Sequence, residues 1–345
     1  YFISTEEMEK KNKTFDIIAT SNIKSYKILT ISEDDNIKIE KKLSEIEFND
    51  SDKIFINITC GTKIMSMVVY EYYKSKGIGE IFYLPIKKNK IIKLFPYTQI
   101  KERNIDVKLS LKEYLSSYGI KMSGDPNILL EKEYSKLEFI FYNFKDSKFF
   151  DNFKNVLNDL RNYRNDKKIK KINIENRKDI NNFLVELNYK NIKELDKDKL
   201  EFFTGGWFEE YMYLLIKNRL NLNNSDIAVN ISIFRGDNVQ NEIDVFFIFN
   251  NTLYVVECKT VMYDSLTERD ITTDTLYKLS SINKDFGLDV KSYIVTLDSK
   301  LRDENMLLKE KYRNRSKHMG ISILDYYGLT NEDVLQKEFF DKIRG

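Results

Sequence analysis

Asp244, Glu257 and Lys259 are the residues of this chain whose types and spacing offer the most definite chemistry. Glu257 and Lys259 end the run Leu253-Tyr254-Val255-Val256-Glu257-Cys258-Lys259. On a strand they project from one face, which Leu253 and Val255 continue. A strand that buries Leu and Val and then presents Glu and Lys has left its apolar pattern abruptly. Asp244 lies in the preceding run, Asn241-Glu242-Ile243-Asp244-Val245-Phe246-Phe247, and Asn250-Asn251 between the two predicts a tight hairpin turn. The hairpin sets Asp244 opposite the end where Glu257 sits. Two carboxylates so placed offer oxygen ligands to a hard cation, Mg²⁺ or Mn²⁺. The adjacent lysine can hold or activate an attacking water and offset charge gathering at a phosphorus centre. Glu242 shares a strand face with Asp244 and could also reach a metal.

A second group lies near the N-terminus. The apolar run Ile54-Phe55-Ile56-Asn57-Ile58 passes into Thr59-Cys60-Gly61-Thr62-Lys63 and then into a helical pattern. A strand-to-helix turn of small residues offers free backbone N–H groups to an anion, with hydroxyls from Thr59 and Thr62 and charge from Lys63. It is not a Walker loop, because Gly-x-x-x-x-Gly-Lys-[Ser/Thr] is absent. From the residues alone, a plain helix N-cap and a ligand site fit equally well.

The rest of the composition narrows the chemistry. His318 is the only histidine, which argues against Ser-His-Asp, Cys-His and histidine-rich metal sites. Cys60 and Cys258 are the only cysteines, too few for a disulfide framework or a thiolate zinc site, and they point to a reducing, cytoplasmic setting. Net charge is +2, so any basic surface for nucleic acid must be local. No apolar run reaches the ~20 residues of a membrane span. The abrupt opening Tyr1-Phe2-Ile3, without Met, reads as if sequence preceded it.

These residues need elements to hold them. Within 1–105, strands are expected at 1–4, 26–31, 53–58, 81–84 and 91–95, with a helix over 62–76, where Ile64, Met65, Val68 and Tyr72 recur at helical spacing. That rhythm predicts a parallel-sheet α/β domain. Residues 106–200 read as a helical connector, whose aromatics Tyr134, Phe141, Phe144 and Phe153 fall at core spacing. Residues 201–345 return to α/β: a helix over 207–219, the hairpin, a helix at 275–282 carrying Lys278, a strand at 290–297, a helix near 304–313 and a strand at 321–325. Lys278 is expected to be solvated, with a phosphate contact as the sharper reading.

The Asp244…Glu257-x-Lys259 arrangement resembles the PD-(D/E)xK signature of restriction-type nucleases. That resemblance implies a glutamate on the helix before the hairpin, where Gly205-Gly206-Trp207-Phe208-Glu209-Glu210 offers Glu209, with Glu210 as competitor. It also implies a metal held by Asp244, Glu257 and the carbonyl of Cys258. At the other end, Asn57-x-Thr59-Cys60-Gly61-Thr62-Lys63-x-Met65 resembles the ligand loop of CARF domains, sensors of cyclic oligoadenylates in type III CRISPR immunity. Cys60 departs from the family's Thr-Gly-Gly-Thr-Lys form, while the Thr-Lys pair is intact.

Together the two resemblances imply an α/β protein with a Rossmann-like CARF sensor (1–105), a helical connector (106–200) and a restriction-endonuclease-like domain (201–345). They imply a homodimer whose nuclease, using Mn²⁺ or Mg²⁺ on DNA or RNA, is activated by cyclic tetra-adenylate. The competing expectation is a restriction or repair nuclease under no such control.

Overall fold

The computed structural model describes residues 1–345 other than 22, 50, 87, 100–101, 124–127, 130, 236–238, 265–268, 285 and 288. Near the N-terminus, helices are inserted between strands. The strand β1 (Phe2–Thr5) leads through helices α1 (Glu6–Lys10) and α2 (Lys13–Thr20) to β2 (Ile28–Ile31), which pairs parallel with it. After α3 (Asn36–Leu43), the unit β3 (Phe55–Asn57), α4 (Lys63–Lys76), β4 (Glu80–Tyr83) repeats the pattern, again parallel. Ile31, Ile39, Ile56, Met65 and Ile81 share one core, so both parallel pairs and both helices close on the same apolar centre.

The sheet is not parallel throughout, as the rhythm predicts. Strand β5 (Lys90–Phe95) adds antiparallel to β4, and β6 (Glu102–Asn104) adds antiparallel to β5. The reason is connection length: a parallel return needs a crossover of a dozen residues or so, and 84–89 is long enough only for a hairpin.

Beyond residue 106 the chain builds a second, larger unit. It runs α5 (Leu111–Ser116), β7 (Ile120–Met122), α6 (Tyr134–Lys145), α7 (Ser147–Asn165), β8 (Lys171–Asn173), α8 (Lys178–Glu186), β9 (Glu194–Asp196) and α9 (Lys197–Glu201). Then come α10 (Trp207–Leu220), β10 (Ile227–Arg235), β11 (Val239–Phe249), β12 (Thr252–Lys259), the short pair β13 (Tyr263–Asp264) and β14 (Arg269–Asp270), α11 (Ile271–Asn283), β15 (Val290–Thr296), α12 (Glu310–Met319) and β16 (Ile321–Leu324). Six strands form one sheet in the order β16-β15-β12-β11-β10-β7. Strand β12 lies in its interior, antiparallel to β11 and parallel to β15. Helices cover both faces, with Trp207, Phe183 and Leu160 in the core on one side and Leu276, Leu111 and Phe246 on the other.

The segment 106–200, expected as a helical connector, packs as part of this unit. Its strand β7 is the sheet edge beside β10. Its aromatics stack on α10, with Phe141 4.5 Å from Tyr211 and Phe144 4.7 Å from Trp207 between ring centroids. Helical spacing identifies these residues as core without saying which core, and their apolar faces are satisfied against α10. Strand β10 carries no expectation from the sequence. Its β-branched residues are interrupted by Asn230, which adopts a left-handed φ of 51° in mid-strand.

Candidate active site

The hairpin that joins β11 to β12 turns on two left-handed residues, Asn250 at φ 50° and Asn251 at φ 60°. That is the requirement of a two-residue type I′ turn, and asparagine tolerates it better than other side chains with a Cβ. The turn fixes the register at Val245 opposite Val256. One step further Asp244 comes level with Glu257. Both are buried, Asp244 at 8% and Glu257 at 2% relative exposure.

Lys259 draws the group together. Its Nζ donates to Asp244 Oδ2 at 3.2 Å and to the Cys258 carbonyl oxygen at 3.2 Å, and it lies 2.8 Å from Glu257 Oε1. One cation therefore touches three oxygens on two strands. The backbone N–H of Cys258 also donates to Asp244 Oδ2, at 2.7 Å, which pins the aspartate to the neighbouring strand. Burial, then the nearby Glu257, pushes the Asp244 carboxyl above its usual range. Burial opposes the charge on Glu257 too, but Lys259 and Lys278 outweigh it and hold that carboxyl below the ordinary value. The Lys259 ammonium is held up by Asp244 and Glu257 against the opposing effect of burial.

The oxygens gathered on the ammonium are the donor set expected for a hard cation: two carboxylates and one backbone carbonyl. Residues and chemistry thus fit a divalent metal, whose charge would relieve the crowding that raises Asp244. Among the described residues, no three His, Cys, Asp or Glu side chains gather by themselves as a metal site, so the carbonyl is needed to complete the set. The Cys258 side chain faces the core on the opposite side of the strand, and burial keeps its thiol protonated.

Glu209, on the first turn of α10, faces the same cluster. Burial and then the charge of Asp244 raise its carboxyl to about 8, while Lys259 and a hydrogen bond from the Asn230 side chain pull the other way. Glu210 faces elsewhere, toward Glu133, and burial lifts it to about 7. Glu242 is exposed on its strand, paired in register with Ser232, and has no contact with the cluster among the described residues. Two residues enlarge the site beyond the sequence expectation. Lys278, expected to be solvated, reaches from α11 to both oxygens of Glu257, at 2.9 and 3.1 Å. Asn230 holds Glu209; the signal available in the sequence was a lone amide interrupting an apolar strand.

The N-terminal loop is ordered by its own side chains. Asn57 Oδ1 accepts from the backbone N–H of Thr59 at 3.0 Å and from its hydroxyl at 2.6 Å, and Thr59 Oγ1 accepts from Leu84 N–H at 2.8 Å. Gly61 takes φ 96°, open to glycine alone without strain. Thr62 caps α4, accepting from Met65 N–H at 3.2 Å while donating to the Glu33 carbonyl at 2.9 Å. Lys63 is exposed and has no ion-pair partner among the described residues. Cys60 is also exposed. Met65, counted with the ligand loop from the sequence, is buried in the core beneath Gly61, because the first inward position of the helix must fill that space.

Sequence families match both regions. Residues 1–114 match the Card1 CARF domain and residues 196–331 the Card1-like endonuclease domain. Among solved structures, the chain is similar to the protein VC1899 from Vibrio cholerae, at 18% identity and a TM-score of 0.71, covering 99% of this chain and 90% of that one. It is likewise similar to Can2 from Sulfobacillus thermosulfidooxidans in complex with cyclic tetra-adenylate, at 20% identity and a TM-score of 0.68, covering 99% of this chain and 91% of that one. At these identities the likeness establishes the shared fold. No curated protein matches the chain at a significant level.

Proposed function

This chain belongs to the Card1 family, a CARF domain followed by a Card1-like endonuclease domain, and from that premise we propose that it cuts nucleic acid with Asp244, Glu257 and Lys259 under control of cyclic tetra-adenylate. The observation that carries the reading is the convergence of Asp244 Oδ2, Glu257 Oε1 and the Cys258 carbonyl on the single Lys259 ammonium. A Mg²⁺ or Mn²⁺ ion held by these oxygens would supply Lewis-acid stabilisation to a phosphoryl oxygen. Lys259, freed from bridging the carboxylates, offsets charge on the phosphorus centre. Lys278 orients Glu257 through both carboxylate oxygens. Glu209, raised to about 8, is poised to exchange a proton near neutral pH and is aimed by Asn230.

The sensor is the loop from Asn57 to Lys63. Its exposed Lys63 and the N-terminus of α4 offer charge and backbone donors to a phosphate of the activator. Can2, of the same fold, was solved in complex with cyclic tetra-adenylate, which supports that ligand here. A two-fold dimer would present equivalent loops to the equivalent halves of such a ring. No helix among the described residues is long and apolar enough to cross a membrane. The two free thiols suit a cytoplasmic setting.

The test is incubation of the purified chain with Mn²⁺ or Mg²⁺, a panel of cyclic oligoadenylates, and single- and double-stranded DNA and RNA. Metal-dependent cleavage that rises with cyclic tetra-adenylate and is lost in Glu257→Gln is expected. Cleavage that Glu257→Gln retains would move the active site, and cleavage indifferent to every cyclic oligoadenylate would return the chain to the constitutive class.

A further inference from the structure

We propose that Arg161 and Arg164, on α7, bind the phosphodiester backbone of the substrate strand where it enters the active site, an inference that rests on the nuclease reading above. Residues three apart on a helix share a face, so the two guanidiniums stand one turn from each other. Arg161 Nη2 donates to Thr260 Oγ1 at 3.4 Å, and Thr260 is the residue after Lys259. Arg164 Nη1 donates to Thr204 Oγ1 at 3.0 Å, on the turn that opens into the Glu209 helix. The pair therefore lines the flank of the site formed by Lys259 and Glu209. Lys278, half-exposed, stands on the other side of Glu257. A strand crossing the carboxylates passes between cations.

The charge of Arg164 is not consumed by the fold. It has no carboxylate partner among the described residues, and its contacts are a hydroxyl and the amide oxygen of its neighbour Asn165. A structural arginine would ordinarily find a carboxylate; these neutral partners aim the fork and leave its charge available. The support is specific. Lys197, at the start of α9, donates to the carbonyls of Tyr163 at 2.8 Å, Arg164 at 2.6 Å and Asp166 at 2.7 Å. Those are acceptors that a helix end leaves without partners, so one lysine fixes the end of α7 from which Arg164 projects. Thr204 is held in turn, donating its hydroxyl proton to the Leu200 carbonyl at 2.7 Å.

The experiment compares the full chain with R161Q/R164Q and R161K/R164K. Binding of fluorescein-labelled single-stranded DNA and RNA is followed by anisotropy in EDTA over a range of salt, and cleavage kinetics are measured with Mn²⁺ and cyclic tetra-adenylate. The glutamine pair should bind roughly tenfold more weakly or worse, with the slope of log affinity against log salt shallower by ~1.4, about 0.7 for each phosphate no longer neutralised. The kinetic loss should fall on KM more than on kcat, and the lysine pair, which keeps both charges, should recover most of it. Unchanged slope and KM in a glutamine pair that still cuts would overturn the assignment and leave the nuclease reading standing. A loss that the lysine pair shares in full would assign the arginines to packing instead. A wild-type chain that neither binds nor cuts any nucleic acid would remove both readings.

Discussion

At the residue scale, the proposed active-site cluster is a buried balance of like and unlike charges, and that decides how each substitution acts. Glu257 is 2% exposed and contacts two ammonium groups. Truncating it to alanine removes one partner of Lys259, which keeps Asp244, and frees the half-exposed Lys278 to solvent, so the cost falls below the ~3–5 kcal/mol of a buried pair broken outright. Glu257→Gln keeps the shape, and its cleavage should fall on the order of 10²-fold or more, as removal of a transition-state electrostatic partner does. Steady-state rates on a labelled oligonucleotide read this directly. Glu209 gives a pH signature. Its carboxyl rises from 4.5 to about 8 on folding. Between those values the unfolded chain has released the proton that the folded chain still holds, so stability declines as pH rises through the window. Glu210, raised to about 7, adds in the same direction. Melting of the metal-free protein at about pH 5 and about pH 9 should show a drop that Glu209→Gln reduces. An equal drop in the variant would mean that Glu209 is not the group concerned.

At the element scale, the two loops proposed for function are held by opposite devices. The β11–β12 turn depends on backbone conformation, since both Asn250 and Asn251 have positive φ. The CARF loop depends on side-chain bonds, above all the Thr62 cap of α4. Thr62→Ala therefore carries a stability cost of ~1 kcal/mol from the lost cap, whatever it does to ligand. Lys63 makes no such bond among the described residues and is the cleaner probe. Lys63→Ala should leave the melting temperature within a degree or so while weakening cyclic tetra-adenylate binding roughly tenfold, the scale of a charge-assisted contact. Isothermal titration with wild-type affinity in this variant would place the ligand site elsewhere.

At the scale of the whole molecule, hydrogen bonds among the described residues join the sensor to the nuclease unit at the end of α2 and at Asn251. Thr20 and Ser21, ending α2, donate hydroxyls to the Ser116 carbonyl at 2.7 and 3.2 Å, beside the edge strand β7. Asn251, at the tip of the β11–β12 hairpin, donates to Asn89 Oδ1 at 2.9 Å and to the Val107 carbonyl at 2.8 Å, and accepts from Leu109 N–H at 2.8 Å. The strand that begins at this tip ends at Glu257 and Lys259. A ligand shifts an equilibrium only through contacts that differ between states. The Asn251 tie offers a route by which a movement of the sensor would reach the carboxylates. Asn251→Gly tolerates the left-handed backbone and removes all three bonds. It should bind cyclic tetra-adenylate normally yet lose about fivefold or more of the ligand-stimulated rate, the lower end of ordinary coupling energies. Full stimulation in that variant would assign the coupling to the α2 contact or to movement between two copies of the chain.

Local regularities were legible in the sequence because strand alternation, turn chemistry and helix capping act over a few residues. They placed Glu257 and Lys259 on one face, Asn250-Asn251 at the turn and Thr62 at the start of α4. The family resemblance put Met65 with the ligand loop, although its side chain turns inward, because a sequence motif does not say which of its side chains pack beneath the loop. Residues 106–200 showed the spacing of a core but not the sheet they complete. The remaining contacts join chain segments that only packing brings together. Lys278 reaches Glu257 across 21 residues, Arg161 reaches Thr260 across 99, and Asn251 reaches Asn89 across 162. No periodicity encodes such pairs, since each is fixed by how the helices settle on the six-stranded sheet and how the sensor rests against its edge.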